Sequence, residues 1–346
     1  MTKRPPDPLP QVTALSPYVP GKPSPSEAGS LASNESPFGA SPRVAEALAA
    51  CATRIHRYPD PLASGVSAGL ARLYGVDPDR VLVGNGSDEV IYLLAMAYAA
   101  GGRAVCADPP YRLDEIVPQI VGASVVKVPL KDWTHNLEAM AEVDADIAFI
   151  VNPHNPTGTT VSREAIRAFA EKSRARLIVV DEAYIEFADD PEAATMVHEA
   201  TGNVAVMRTF SKAYGLAGAR VGYLVADPDV IDALRRIRPP FSVTGPTQAA
   251  ALAALEVTAH LEWVREQTRR GRERLYELFG GAGYEVVPSQ ANFVLVVAPD
   301  AEELQARLQR GGVSVRLGAN LELPGTVRVT VASDEGFELL ARALHA

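Results

Sequence analysis

Met207-Arg208-Thr209-Phe210-Ser211-Lys212-Ala213-Tyr214-Gly215-Leu216-Ala217-Gly218-Ala219-Arg220-Val221-Gly222 decides how the rest of the chain is read. Apolar runs flank it, Val204 to Met207 before and Val221 to Val225 after, so it reads as strand, irregular loop, strand. A lysine amine becomes a nucleophile toward a carbonyl when burial or a nearby cation lowers its pKa, and Lys212 is placed for that. Thr209, Ser211 and Arg220 add hydroxyl donors and a forked guanidinium, the groups a phosphate needs. Lysine, hydroxyls and arginine together suggest an aldehyde cofactor that carries a phosphate, which is pyridoxal phosphate. Taken alone, a Ser-Lys pair in a loop is more often solvated surface, so the reading depends on the other loops.

Outward from this stretch, short apolar runs alternate with helical patterns. Val81 to Val83, Arg103 to Ala107, Ser124 to Val128, Ile147 to Val151 and Leu177 to Val180 read as strands. Helices are expected from Ser41-Pro42 to about Ala52, from Val66 to Tyr74, from the opening Gly84-Asn85-Gly86-Ser87-Asp88-Glu89 to Ala100 and from Arg163 to Lys172. This alternation predicts an α/β fold whose mostly parallel sheet is covered on both faces, with ligands bound beyond the carboxyl ends of the strands. After Pro239-Pro240 the texture changes to one long helical pattern, Thr247 to Phe279. Strands follow near 284–287, 293–297, 313–315 and 327–331, with helices at Ala301 to Arg310 and from Glu335. The expected organisation is an extended, proline-rich arm at 1–30, a large domain at 31–240 and a smaller α/β domain at 241–346.

The chain has 346 residues, 47% of them apolar and 22% charged, which is ordinary globular composition. A net charge of -9 argues against nucleic acid or an anionic membrane as the main partner. Cys51 and Cys106 have no metal-ligand spacing and form no disulfide framework, so no metal site is expected. The first residues run into proline and no stretch approaches a membrane span, so the expected location is cytoplasmic.

Three more loops each follow a strand candidate. Gly84-Asn85-Gly86-Ser87 before a helix offers free backbone N–H groups for a phosphate, though it also suits a plain turn capped by Ser87 or Asp88. Asn152-Pro153-His154-Asn155-Pro156-Thr157-Gly158 is a rigid loop that can present an asparagine amide, and it is equally explained by turn chemistry alone. Asp181-Glu182-Ala183-Tyr184 ends a very apolar strand, where a carboxylate is costly without a cation. A protonated pyridine nitrogen or a structural ion pair could supply that cation.

With these motifs in hand, the chain resembles the fold-type I pyridoxal-phosphate aminotransferases, and among them the histidinol-phosphate aminotransferases. The resemblance rests on Ser16-Pro17-Tyr18-Val19-Pro20-Gly21-Lys22, Ser33-Asn34-Glu35-Ser36-Pro37-Phe38-Gly39 and Tyr58-Pro59. It continues through the loops quoted above to Ser211-Lys212-Ala213-Tyr214-Gly215 and Arg220-Val221-Gly222-Tyr223, covering essentially the whole chain. It implies that Lys212 attaches the cofactor and shuttles the proton. Asp181 would pair with the ring nitrogen, Tyr184 and Asn155 would bond the ring oxygen, and Tyr111 would stack on the ring. Gly86, Ser87, Thr209, Ser211 and Arg220 would hold the phosphate, with Tyr58 reaching the cofactor of a neighbouring subunit in a homodimer with shared sites. Asn34, Asn155, Arg316, Arg328 and Tyr18 would meet the substrate, a small amino donor and a 2-oxo acid or phosphorylated keto compound.

Asp114 departs from this family pattern, standing where a second tyrosine is usual three residues after the stacking aromatic. An added carboxylate near the site would repel an anionic substrate. That leaves open an aminotransferase for aromatic or other amino acids, or a specialised decarboxylase or oxidase on the same fold. A binding module without catalysis has no chemical need for Lys212, Asp181, Tyr184, Asn155 and Arg220 together.

Overall fold

The computed structural model describes residues 6–15 and 23–345. Tyr18 and the motif around it lie outside the described residues. The large sheet has seven strands: β1 Val81–Gly84, β2 Arg103–Asp108, β3 Ser124–Pro129, β4 Ile147–Val151, β5 Leu177–Asp181, β6 Val204–Thr209 and β7 Gly222–Val225. Their order is β1-β7-β6-β5-β4-β2-β3. β7 alone runs against its neighbours β1 and β6, and the other pairings are parallel.

The near-continuous apolar strands follow from burial on both faces. Along β5, Ile178 and Val180 enter one core cluster while Leu177 and Val179 enter the other. The strands of the smaller sheet are β8 Glu285–Val287, β9 Phe293–Val297, β10 Arg316–Leu317 and β11 Thr326–Thr330, ordered β10-β11-β9-β8 and all antiparallel. Val294, Val296, Val327 and Val329 point into a core closed by Leu304, Leu308 and Leu340.

The segment 29–34 lies along this smaller sheet. Leu31 N–H donates to the Ser314 carbonyl at 2.9 Å, and Thr330 N–H donates to the Leu31 carbonyl at 3.0 Å. Leu31, 2% exposed, belongs to the smaller sheet's core. Residues expected only to form a polar turn therefore tie the end of the arm to β11.

Several expectations need correction. The long helical pattern is two helices, Gly245–Leu255 and Thr258–Gly281, separated where Val257 takes φ -116° and ψ 70°. The first is alanine-rich, and its Ala250, Ala251 and Ala254 pack into the large sheet's core, so the chain rejoins that core after Pro239-Pro240. The strand expected at 313–315 sits at Arg316–Leu317, and Val313 and Val315 are buried beside it. Helices Arg112–Ile120 and Pro228–Ile237 had no sequence-level expectation. The first carries Pro118 in its interior, which ordinarily argues against a helix. Within the arm, Pro10–Thr13 forms one helical turn where an extended chain was expected.

Candidate active site

The carboxyl ends of the parallel strands open onto a cavity of about 760 Å³. Asp181 closes β5, Thr209 closes β6, and the loop after β6 carries Ser211 and Lys212 to the same place. From the smaller sheet come Arg316 and Arg328, and from the segment beside it Asn34. Ser87, Tyr111, Asn155, Tyr184 and Arg220 complete the set of expected residues on the cavity wall.

The Lys212 amine donates to the Ser33 carbonyl at 3.2 Å and lies 5.8 Å from the centre of the Tyr184 ring. Burial, with help from the Arg328 charge, lowers its pKa to about 8. Asp181 is 3% exposed, and its Oδ1 accepts from the Ala183 N–H at 2.9 Å. Burial raises its pKa to about 7 against that hydrogen bond.

The Tyr184 hydroxyl accepts from Asn34 Nδ2 at 3.1 Å and from Asn155 Nδ2 at 3.3 Å. Asn34 takes a left-handed φ of 55° and is pinned on both sides: its N–H donates to Thr330 Oγ1, and its carbonyl accepts from Asn292. Arg328 Nη1 donates to Asn155 Oδ1 at 2.6 Å and Nη2 donates to the Ala32 carbonyl at 2.8 Å. Arg316 stands directly opposite Arg328 in the β10–β11 register, and each is 7% exposed.

At the other end of the cavity the helix Gly86–Tyr98 begins without a side-chain cap, leaving its first N–H groups available. Neither Ser87 nor Asp88 caps it; the N-cap residue is Asn85. Gly86 has φ 74°, and a Cβ there would come 2.5 Å from Arg220 Nη2. A Cβ on Gly222 would strike the Ser87 backbone nitrogen. These two glycines let the arginine and the helix start share one small space. Thr209 Oγ1 donates to Ser211 Oγ at 2.9 Å, and Arg220 Nη1 lies 3.5 Å from the same oxygen. Hydroxyls, helix N–H groups and one guanidinium form the cradle a phosphate fits.

Asp88, in sequence only a possible cap, ties this end together. Its Oδ2 pairs with Arg220 Nη2 at 3.0 Å, and its Oδ1 accepts from the Tyr111 hydroxyl at 3.3 Å. Its position in the first turn after Gly86-Ser87 was the available signal. Gly86 shapes the cradle without lining the cavity. Tyr58 does not line it, is 83% exposed and stacks on Phe241 at 4.6 Å. Asp114 also does not line the cavity and is 1% exposed. The expected repulsion of an anionic substrate by Asp114 therefore has no direct surface through which to act.

The family model for aminotransferase class I and II matches residues 28–344. This chain belongs to the class I and II aminotransferases. Among the aminotransferase's relatives is the histidinol-phosphate aminotransferase of Symbiobacterium thermophilum, 42% identical over 97% of both chains. The Moorella thermoacetica histidinol-phosphate aminotransferase is 38% identical, covering 96% of this chain and 91% of its own. A crystal structure of the Sinorhizobium meliloti histidinol-phosphate aminotransferase in complex with pyridoxal 5'-phosphate superposes with a TM-score of 0.88 and 30% identity, over 97% of each chain. The aminotransferase is pyridoxal-phosphate-dependent, and its site fits that group at both ends. Asp181 is a buried carboxylate that needs a cationic partner, and the cradle around Gly86, Ser87 and Arg220 suits a phosphate.

Proposed function

We propose that the enzyme transfers an amino group between L-histidinol phosphate and 2-oxoglutarate, the step that serves histidine biosynthesis, by a ping-pong mechanism. The observation that carries this reading is the pairing of Arg316 with Arg328 across β10 and β11, both buried and both facing the cavity. Two guanidinium groups on one wall suit a dianionic phosphate better than a single carboxylate. The names of the relatives point the same way.

Bound pyridoxal phosphate supplies an electron sink for the pair released when the substrate Cα loses its proton. The chain's residues do the rest. Lys212 would anchor the cofactor, and its amine would take up the proton that the substrate Cα releases; a pKa near 8 keeps part of it neutral and able to accept. Asp181 would hold the ring nitrogen, where an ionised carboxylate stabilises the cation. Tyr184 and Asn155 would orient the ring oxygen, and Tyr111 would cover the ring face. Gly86, Ser87, Thr209, Ser211 and Arg220 fix the phosphate, while Asn34, Arg316, Arg328 and Tyr18 orient the substrate.

We further propose a homodimer in which Tyr58 serves the partner's site. Its 83% exposure and its absence from its own cavity wall support this, as do exposed Ile55 and Leu62 in the same segment. The division into arm, large unit and smaller unit is likewise a proposal, with the join placed after the helix Gly245–Leu255 because that helix packs on the first core. No helix among the described residues is long and apolar enough to cross a membrane. A cytoplasmic location is proposed from two free cysteines, a pattern at home in a reducing compartment.

The test is a half-reaction on purified protein, following the absorption of the bound cofactor. L-histidinol phosphate and glutamate should convert it rapidly, and phenylalanine slowly or not at all. An inert L-histidinol phosphate beside a reactive phenylalanine would replace the substrate and keep the reaction class.

A further inference from the structure

His154 directly precedes the cavity-lining Asn155 but does not itself line the cavity. It is 1% exposed, and the ring of His135, also buried, meets it edge to face with centres 4.8 Å apart. Each imidazole is bonded to a backbone carbonyl where a strand ends. His135 Nε2 lies 2.9 Å from the carbonyl of Val151, the last residue of β4. His154 Nε2 lies 3.2 Å from the carbonyl of Pro109, one residue past β2. β2 and β4 are neighbours in the large sheet. A carbonyl has no proton to give, so Nε2 carries the proton in both rings. Burial disfavours a second proton on either ring. The bare Nδ1 of His154 then accepts from the Thr157 hydroxyl at 2.9 Å.

His154 thus uses its two ring nitrogens on two different segments. One bond stays within its own loop, whose turn is closed by Gly158 N–H donating to the His154 carbonyl at 2.7 Å. The other crosses to residues 109–111, where Pro110 and Tyr111 line the cavity. Tyr111 is therefore held at two points. Its hydroxyl donates to Asp88 Oδ1 at 3.3 Å, and its chain is tethered two residues upstream. We propose that His154 is a positioning residue for transamination: it ties the backbone before Tyr111 to the loop presenting Asn155, and so fixes the spacing at which the two meet the cofactor ring. This inference rests on the reading of Tyr111 as the cover of that ring.

Two amides divide the bonds of the imidazole. In His154→Gln the amide nitrogen reaches where Nε2 stands and keeps the bond to Pro109, while the shorter side chain in His154→Asn serves Thr157 alone. Visible circular dichroism of the bound cofactor reads the asymmetry around its ring, and equilibrium titration reads its affinity. His154→Asn should diminish the dichroic band and weaken affinity by about three- to tenfold, the range of one lost hydrogen bond. His154→Gln should recover most of both. In a Tyr111→Ala background His154→Asn should cost nothing further, because the residue it acts through is gone. An equal loss in both backgrounds overturns the proposal, and so does a Gln variant as damaged as the Asn variant. A ¹⁵N spectrum of the native holoenzyme in which His154 carries its proton on Nδ1 also overturns it, and that measurement depends on no variant. If Tyr111→Ala alone leaves band and affinity unchanged, the reading of Tyr111 fails and takes the proposal with it, while the spectrum still decides the bond from His154 to Pro109.

Discussion

Arg328 Nη1 donates to Asn155 Oδ1 at 2.6 Å, and Asn155 Nδ2 donates onward to the Tyr184 hydroxyl at 3.3 Å. The arginine proposed to bind the substrate anion and the phenol proposed to face the cofactor ring therefore share one amide. Arg328→Ala should raise KM for an anionic substrate by about 10–100-fold, the cost of a lost charge-assisted contact. The cofactor should stay bound, with its absorption shifted because Asn155 loses its anchor. Arg328→Lys should recover charge without the fork and so only part of the affinity. Steady-state kinetics on both variants decides it; an unchanged KM would put the anion site elsewhere.

Lys212 must be neutral to attack the cofactor aldehyde. With its pKa lowered to about 8 by burial and the Arg328 charge, a fraction of the amine is already free near neutral pH. The rate at which stripped protein retakes pyridoxal phosphate should rise with pH and level off just above 8. Arg328→Ala should move that midpoint upward, since it removes a positive neighbour. Lys212→Ala should bind the cofactor without covalent attachment and lose turnover by about 10²–10⁴-fold or more, the usual worth of a positioned proton carrier. Stopped-flow absorbance follows the first effect, and a pH-independent rate would contradict it.

Much of this site was legible because its residues sit where strands end. Asp181 follows four consecutive apolar residues, and Lys212 follows another such run, so burial and loop placement could both be read along the chain. What stayed hidden depends on contacts between distant segments. Nothing local sets Arg316 opposite Arg328, which needs the β10–β11 register, or lays Leu31 along β11. The helix Arg112–Ile120 was masked by Pro118 and its charged first turn, and with it the burial of Asp114. Asp88 looked like a cap because its partners, Arg220 and Tyr111, come from other loops.

Asp181 should cost stability when the cofactor is absent. Its folded pKa is raised from 3.8 to about 7, chiefly by burial. Across that window the folded chain holds a proton that the unfolded chain has released, so its contribution to stability falls as pH rises. Asp181→Asn in cofactor-free protein should therefore be more stable than the native chain above pH 7, by at most about 4 kcal/mol. The difference should shrink as pH falls and vanish below the unfolded value of 3.8, where both folded and unfolded carboxyls are protonated. With cofactor bound the order should reverse, because the native carboxylate gains a cationic partner that Asn cannot replace. Denaturant melts at several pH values, with and without pyridoxal phosphate, test both signs.

Tyr58 offers a test of shared sites that needs no structure of the assembly. It is 83% exposed, absent from the cavity wall of its own chain, and stacked on Phe241. If it reaches a partner's phosphate, Tyr58→Phe should weaken cofactor binding by about tenfold through one lost hydrogen bond to a charged group. Lys212→Ala should be nearly inactive on its own. Mixing the two variants under conditions that exchange subunits should then restore activity at limiting cofactor. Each mixed dimer holds one site with an intact Lys212 from one chain and an intact Tyr58 from the other. If Tyr58 served its own chain, the mixed dimer would contain no repaired site and activity would only be diluted. A gain on mixing thus assigns Tyr58 across the interface, and its absence returns the residue to the surface of a self-contained site.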